Sequence, residues 1–305
     1  MVTTVGSGTH TFEAVEDWAK VPPGWSAPMA AVAVDSQDRV YGFNRGEHPV
    51  IVFDKNGEYL YSWGDGIFAF PHAIRVDPQD NIWIVDRNHG QVFKFTTRGE
   101  LLMTIGAKGY RSDTGADNTA IDSRNSYKQV THPGGPFNLP TDVAVIESGD
   151  IFIADGYANC RVHRFSPDGK HLYSWGQPGS GPGQFMLPHG IWVDSRGRVL
   201  IADRENDRVQ VFAQSGEFIA QWPTKLIGPA TFCVDSDDTV YVPEHNSGNF
   251  SVLTLDGELL ARWGSEKSRT CHGVAGDSEG NVYFVQPVSS EGSKGRRIVK
   301  HVRKV

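Results

Sequence analysis

The feature that most constrains this chain is internal repetition. A block of about thirty residues recurs six times: VAVDSQDRVYGFNRGEHPVIVFDKNGEYLYSWG from Val32 to Gly64, IRVDPQDNIWIVDRNHGQVFKFTTRGELLMTIG from Ile74 to Gly106, then copies at Val143–Gly176, Ile191–Pro223 and Phe232–Gly264, with a last one starting at Val274. Each copy has the same grammar. An apolar strand runs into an Asp-rich turn, and a second strand of β-formers such as Val40 to Phe43 follows. A polar loop leads to a third strand. An Asn-Gly, Arg-Gly, Asp-Gly or Ser-Gly turn then gives a hairpin into a fourth. One such unit cannot bury both of its faces, but neighbours stacked around an axis can. Four strands in each of six copies predict an all-β, six-bladed β-propeller. It is expected as one domain over 1–305, with repeats at about 27–66, 67–106, 139–176, 185–223, 227–264 and 269–305.

The ends suggest how the ring closes. The sixth copy supplies a third strand, Arg296 to Val302, and the sequence stops before a fourth. The run Thr9 to Val15 is the expected replacement, which would remove an exposed edge. Between copies two and three lies a long insertion, 107–138, which is unusual without a function of its own. It emerges on the face of the blade-to-blade connections, as a lid or as a surface loop.

Composition narrows the classes. With hydrophobic residues at 39% and charged residues at 21%, the chain is that of a folded protein. No run approaches the ~20 apolar residues of a membrane span. Met1 to Gly8 has neither the basic start nor the apolar core of a secretory signal. Three Cys do not make a disulfide framework, so the expected location is cytoplasmic. A net charge of −7 argues against a nonspecific nucleic-acid surface. The expected partner is a small-molecule substrate, one carrying a carboxylate or carbonyl group, with no nucleic acid, membrane or obligate protein partner.

Three histidines occupy one repeat position. FPHAIRVD, LPHGIWVD and TCHGVAGD place His72, His189 and His272 each five residues before the aligned Asp77, Asp194 and Asp277. Copies one, three and five have Ala30, Asp142 and Ala230 there. In a propeller the histidines therefore stand roughly 120° apart at the entrance to the innermost strands. Three neutral imidazoles make a zinc shell with an open fourth position. The loops after the second strands return to the same face and carry Arg45, Arg87, His89, Tyr157, Arg204 and His245. Arginine can clamp a carboxylate, and a tyrosine beside a metal and arginine can serve as a base. Turn chemistry is the other reading of the acids in these loops. Cys271, beside His272, is either close to the metal or apolar filling. The basic C-terminal strand reads as one with a solvated face.

The repeats resemble NHL repeats. The motifs RG, PHAI, DGYANCR, LPHG, ADREN and the last His resemble the peptidylglycine alpha-amidating lyases, the peptidyl-alpha-hydroxyglycine lyases, over nearly the whole chain. That resemblance implies one catalytic zinc on His72, His189 and His272, an active-site pair Arg45 and Tyr157, a substrate contact at Arg204, and cleavage of a carbinolamide C–N bond to an amide and glyoxylate. There are departures. Thr270-Cys271-His272-Gly273 stands where the family has Met-Pro-His-Asp, so the aspartate that holds its calcium is missing and calcium here is doubtful. Ala158 replaces a disulfide cysteine of secreted members. The expected activity is therefore a zinc-dependent lyase acting on a small carbinolamide or related alpha-hydroxy compound, not a neuropeptide. A zinc-dependent hydrolase or hydratase, and a non-catalytic NHL binding module, remain alternatives.

Overall fold

A computed structural model describes residues 3–117, 123–287 and 296–304. Six sheets form a six-bladed β-propeller. Blade 1 comprises Met29–Val34, Val40–Asn44, Val50–Phe53 and Tyr59–Trp63, paired in chain order from the axis outward. Its middle strands are wholly buried while Tyr59 and Leu60 of the outer strand are exposed, and the same gradient recurs around the ring. Apolar side chains of neighbouring blades therefore interleave through both faces of each sheet. Ala31, Tyr41, Phe43 and Val52 of blade 1, for example, share a cluster with Ile74, Ile84 and Phe95 of blade 2.

The Asp of the first turn, present in every blade but blade 3, where Ile146 stands, is a folding device. Asp77 accepts from the amides of Gln79 and Asn81 and from Trp83 Nε1 at 2.9 Å. Asp35, Asp235 and Asp277 likewise accept the Tyr41, Tyr241 and Tyr283 hydroxyls at 2.8–2.9 Å. One carboxylate thus closes a turn and satisfies a buried aromatic from the second strand. The outer tryptophans seat on the next blade's hairpin glycine. A Cβ at Gly99 would lie 2.8 Å from Trp63, and one at Gly216 would lie 2.9 Å from Trp175; both glycines have positive φ. Only glycine meets both demands there.

The N-terminal strand closes the ring. His10–Val15 pairs antiparallel with Arg296–Arg303, as expected, and Phe12 is fully buried against Trp263 at 5.4 Å. A further strand, Thr3–Ser7, was not foreseen; it pairs onto His10–Val15 and makes the closing blade five-stranded. Among the described residues no helix is long and apolar enough to cross a membrane.

Candidate active site

The second-strand acids build the entrance to the axis. Asp86 accepts the amides of Ala69 and Phe70 at 2.7 and 2.9 Å, and Asp203 accepts those of Met186 and Leu187. Each thereby pins the segment leading into a Pro-His pair. Strand register then slips by one residue, between Pro71 and Ala73 in blade 2 and between Pro188 and Gly190 in blade 4. His72 and His189 are the extra residues of these bulges, a device that re-aims a side chain. The glycines that follow bring the next blade close. A Cβ at Gly190 would lie 2.5 Å from Thr231 Cα, and one at Gly273 would lie 2.9 Å from Ala31 Cα.

That close approach fixes the imidazoles. The Nδ1 atoms of His72, His189 and His272 sit 2.5, 2.7 and 2.8 Å from the carbonyls of Thr141, Ala230 and Ala30. A carbonyl only accepts, so each Nδ1 carries the proton and each Nε2 is left with a lone pair. Alternate blades thus divide the work: three supply imidazoles and three supply the carbonyls that orient them. The ring centroids form a triangle with every side 4.9 Å, and the candidate ligand atoms lie within 4.8 Å of one another. All three rings are buried. Burial, then for His72 the charges of Arg45 and Arg87, pushes their pKa values well below the ordinary range. Three oriented neutral imidazoles with bare Nε2 atoms fit a zinc ion.

Tyr157 stands over one side of the triangle. Its Oη is 3.4 Å from His72 Nε2, 3.3 Å from His189 Nε2 and 3.4 Å from an Arg204 terminal nitrogen. Burial works to raise its pKa, but Arg204, Arg87 and Arg45 outweigh burial and the net shift is downward. The Arg87 guanidinium lies 4.8 Å from the Tyr157 ring and 3.9 Å from that of Phe70, and Arg45 stacks on the same Phe70 at 4.2 Å. Above the triangle opens a cavity of about 360 Å³, lined by Arg45, Arg87, Tyr157, Arg204, His245 and His272 among others.

Of the residues expected on this face, His89 is the one that stands apart. Its Nδ1 lies 2.7 Å from the Asp86 carboxylate and its ring does not line the cavity. His245 does line it, with Nδ1 3.1 Å from the Cys271 carbonyl. Burial and then Arg204 push its pKa down to about 3. Cys271 is apolar filling, in a cluster with Phe12, Phe250 and Phe284.

Sequence reasoning missed Phe70, Tyr127, Glu205 and Arg296, all on the cavity wall. Tyr127 comes from the insertion, in a 3₁₀ turn at Ser123–Gln129, and packs with Leu139, Tyr157 and Leu187. Its hydroxyl donates to Glu205 at 3.3 Å. The described part of the insertion is therefore a wall of the site. In the sequence Arg296 reads as part of a strand with one solvated face. It is the first residue of that strand, and third strands begin on the cavity side, so its side chain reaches the mouth. Glu205 follows Arg204 in the ADREN motif and could have been found from it.

Below the histidines the axis is sealed by a charge pair. Arg75 of blade 2 meets the Asp142 carboxylate of blade 3 through two bonds, 3.0 and 2.5 Å, and donates to the Phe232 carbonyl of blade 5 at 2.8 Å. The one acid among the odd-blade equivalents of the histidines thus already holds a cation from the chain itself.

The fold and its repeats define an NHL-repeat β-propeller: the NHL repeat model matches residues 68–95, 137–165 and 185–212. Among named relatives, the chain is similar to the amidating proteins. It is 43% identical over 105 residues to peptidyl-glycine alpha-amidating monooxygenase B of Xenopus laevis, covering 32% of this chain and 12% of that protein. It is 31% identical over 262 residues to peptidylglycine alpha-amidating monooxygenase of Rattus norvegicus, covering 75% and 25%. It is 40% identical over 109 residues to peptidyl-alpha-hydroxyglycine alpha-amidating lyase 1 of Drosophila melanogaster, covering 32% and 20%. The matches span a quarter or less of these relatives' lengths. Among solved structures, a streptogramin B lyase superposes with a TM-score of 0.62 at 13% identity, covering 95% of this chain and 97% of that one, which speaks for the fold alone.

Proposed function

We propose that this chain is a zinc-dependent lyase that cleaves the C–N bond of a small carbinolamide. The observation that carries the reading is the meeting of three oriented imidazole Nε2 atoms with a tyrosine hydroxyl held against Arg204. The similarity to proteins named as alpha-hydroxyglycine amidating lyases supports it. His72, His189 and His272 would hold the zinc, whose chemistry is Lewis acidity toward the substrate hydroxyl. Tyr157, the base, accepts the hydroxyl proton at Oη. The electron pair of that O–H bond becomes the second bond of a carbonyl. The C–N pair leaves on the amide nitrogen, which takes the proton back from Tyr157, so the products are an amide and an aldehyde. Arg204 and Arg87 hold the phenolate form of Tyr157, Arg204 also orients the carboxylate beside the reacting carbon, and Arg45 binds the substrate farther from it. His245 lines the substrate side. The unit of function is taken as the single propeller.

The test is elemental analysis of purified protein, followed by incubation with N-acyl-α-hydroxyglycines and assay of released amide and glyoxylate. One zinc per chain and release of both products in equal amounts are expected. Zinc-loaded protein that releases neither product from any small carbinolamide refutes the lyase reading.

A further inference from the structure

We propose that the substrate carries a second carboxylate, remote from the reacting carbon, and that Arg45 and Arg296 bind it. This deepens the lyase reading and rests on it for the place of the first carboxylate.

Among the described residues the cavity holds four guanidinium groups, Arg45, Arg87, Arg204 and Arg296, against one carboxylate, Glu205. This local excess stands out in a chain of net charge −7. Glu205 is already engaged, by Arg204 Nε at 2.8 Å and by the Tyr127 hydroxyl. Arg87 is packed on Phe70 and Tyr157. Arg45 also stacks on Phe70, but the hydrogen bonding of Arg45 and Arg296 sets them apart. Each spends its Nε on a backbone carbonyl, Arg45 on Pro71 at 3.0 Å and Arg296 on Thr270. Neither forms an ion pair with a described residue, and their terminal nitrogens bond to no described side chain or carbonyl. Arg296 is close enough to Arg45 to depress its basicity, after the effect of burial.

Two partly buried like charges side by side are costly unless an anion joins them. The Nε bonds leave the terminal nitrogens directed for a carboxylate, the grouping that a guanidinium fork matches. There is also room for it. Arg45, Thr270 and Arg296 are the wall shared by the main cavity and a second one of about 220 Å³, completed by Pro28 and Met29. A chain of a few methylenes fits along Met29 and brings its terminal carboxylate to the two arginines. The enclosing walls, with Tyr127 on the far side, suit a small dianion better than a polypeptide.

The experiment is calorimetric titration of the full-length protein, metal-loaded and metal-stripped, with malonate, succinate, glutarate and adipate and with monocarboxylates of equal carbon number. Turnover of N-acyl-α-hydroxyglycines with and without a terminal carboxylate on the acyl group is measured in parallel. At least one dicarboxylate should bind ten-fold or more tightly than its monocarboxylate match. Arg296→Gln should abolish that preference while leaving monocarboxylate binding in place, and Arg296→Lys should keep part of it. Equal binding of the two series by wild type, or an unchanged preference in a folded Arg296→Gln, overturns the proposal. If carbinolamides are cleaved with the same kcat/KM whether or not the acyl group is charged, the lyase reading stands and this inference falls. If no carbinolamide is cleaved but Arg296 still governs dicarboxylate selectivity, the second anion site stands and the lyase reading falls.

Discussion

Replacing Arg75 by Met tests how the axis is held together. The side chain joins blades 2, 3 and 5: two bonds to Asp142, one to the Phe232 carbonyl and one to the Thr231 hydroxyl. The Arg75 side chain is 12% exposed and that of Asp142 3%, so the pair is almost out of water. Methionine fills much of the aliphatic volume but leaves the carboxylate without its cation. Among the described residues Asp142 would keep the Val143 and Ile191 amides and the Thr231 hydroxyl. Removing one partner of a buried pair costs about 3–5 kcal/mol. With an unfolding entropy of ~2.1 cal/mol/K per residue, that loss lowers Tm by roughly 5–8 °C for a chain of this length. Calorimetry and urea unfolding measure it. Adding Asp142→Asn to Arg75→Met should recover at least ~1 kcal/mol, because the stranded charge is then gone. The reasoning is refuted if Arg75→Met lies within ~1 kcal/mol of wild type, or if the second substitution destabilises further. Arg75 shares the strand Pro71–Val76 with His72, so zinc affinity should weaken along with stability. Calcium should be unnecessary for folding, since Gly273 has no side-chain oxygen to hold it; a Tm that rises with added calcium would contradict this.

Other outcomes follow from the same geometry. His189→Ala should lose the metal on elemental analysis, because two imidazoles replace three; unchanged zinc would remove His189 from the shell. Tyr157→Phe should keep metal and fold while kcat falls ~10²–10⁴-fold, the range for a positioned proton-transfer group; near-normal kcat at every pH would sink the base assignment. His301, buried among Phe250, Trp263 and Phe284, has its pKa pushed by burial from 6.5 down to about 4. The unfolded chain therefore binds the proton first, and stability present at neutral pH is lost as pH falls from about 6.5 toward 4. The loss from this residue is roughly 2 kcal/mol by pH 5, and urea unfolding of His301→Leu should show a correspondingly flatter pH dependence.

The propeller was legible because its signals repeat. Asp35, Asp77, Asp235 and Asp277 each close the same turn and each meet an aromatic six residues on, so a six-fold alignment averages away local ambiguity. The closing strand was legible as a deficit, a missing fourth strand matched by a spare run at the other end. What lies outside the repeat was not: Thr3–Ser7 adds an edge strand whose polar, glycine-containing sequence carries no alternation. The insertion is opaque for the same reason. Nothing in its spacing says that Tyr127 turns inward while Tyr110 stays exposed.

The site divides along the same line. Residues that break the repeat at an aligned position, His72, His189, His272, Arg45 and Tyr157, could be picked out because the other copies show what a merely structural residue looks like there. Their orientation could not, since it depends on carbonyls of neighbouring blades some 41 to 242 residues away in the chain. Arg296 escaped for a different reason. It begins a third strand, where Arg161 and Arg208 also stand, so the alignment makes it look ordinary. The difference lies in its partners: Arg208 is held by Asp203 at 3.0 Å, whereas Arg296 has no carboxylate among the described residues and turns to the Thr270 carbonyl at the cavity mouth. A repeat reveals which side chains depart from the common pattern, but a residue that keeps the pattern and loses its partner becomes visible only once the blades are closed into a ring.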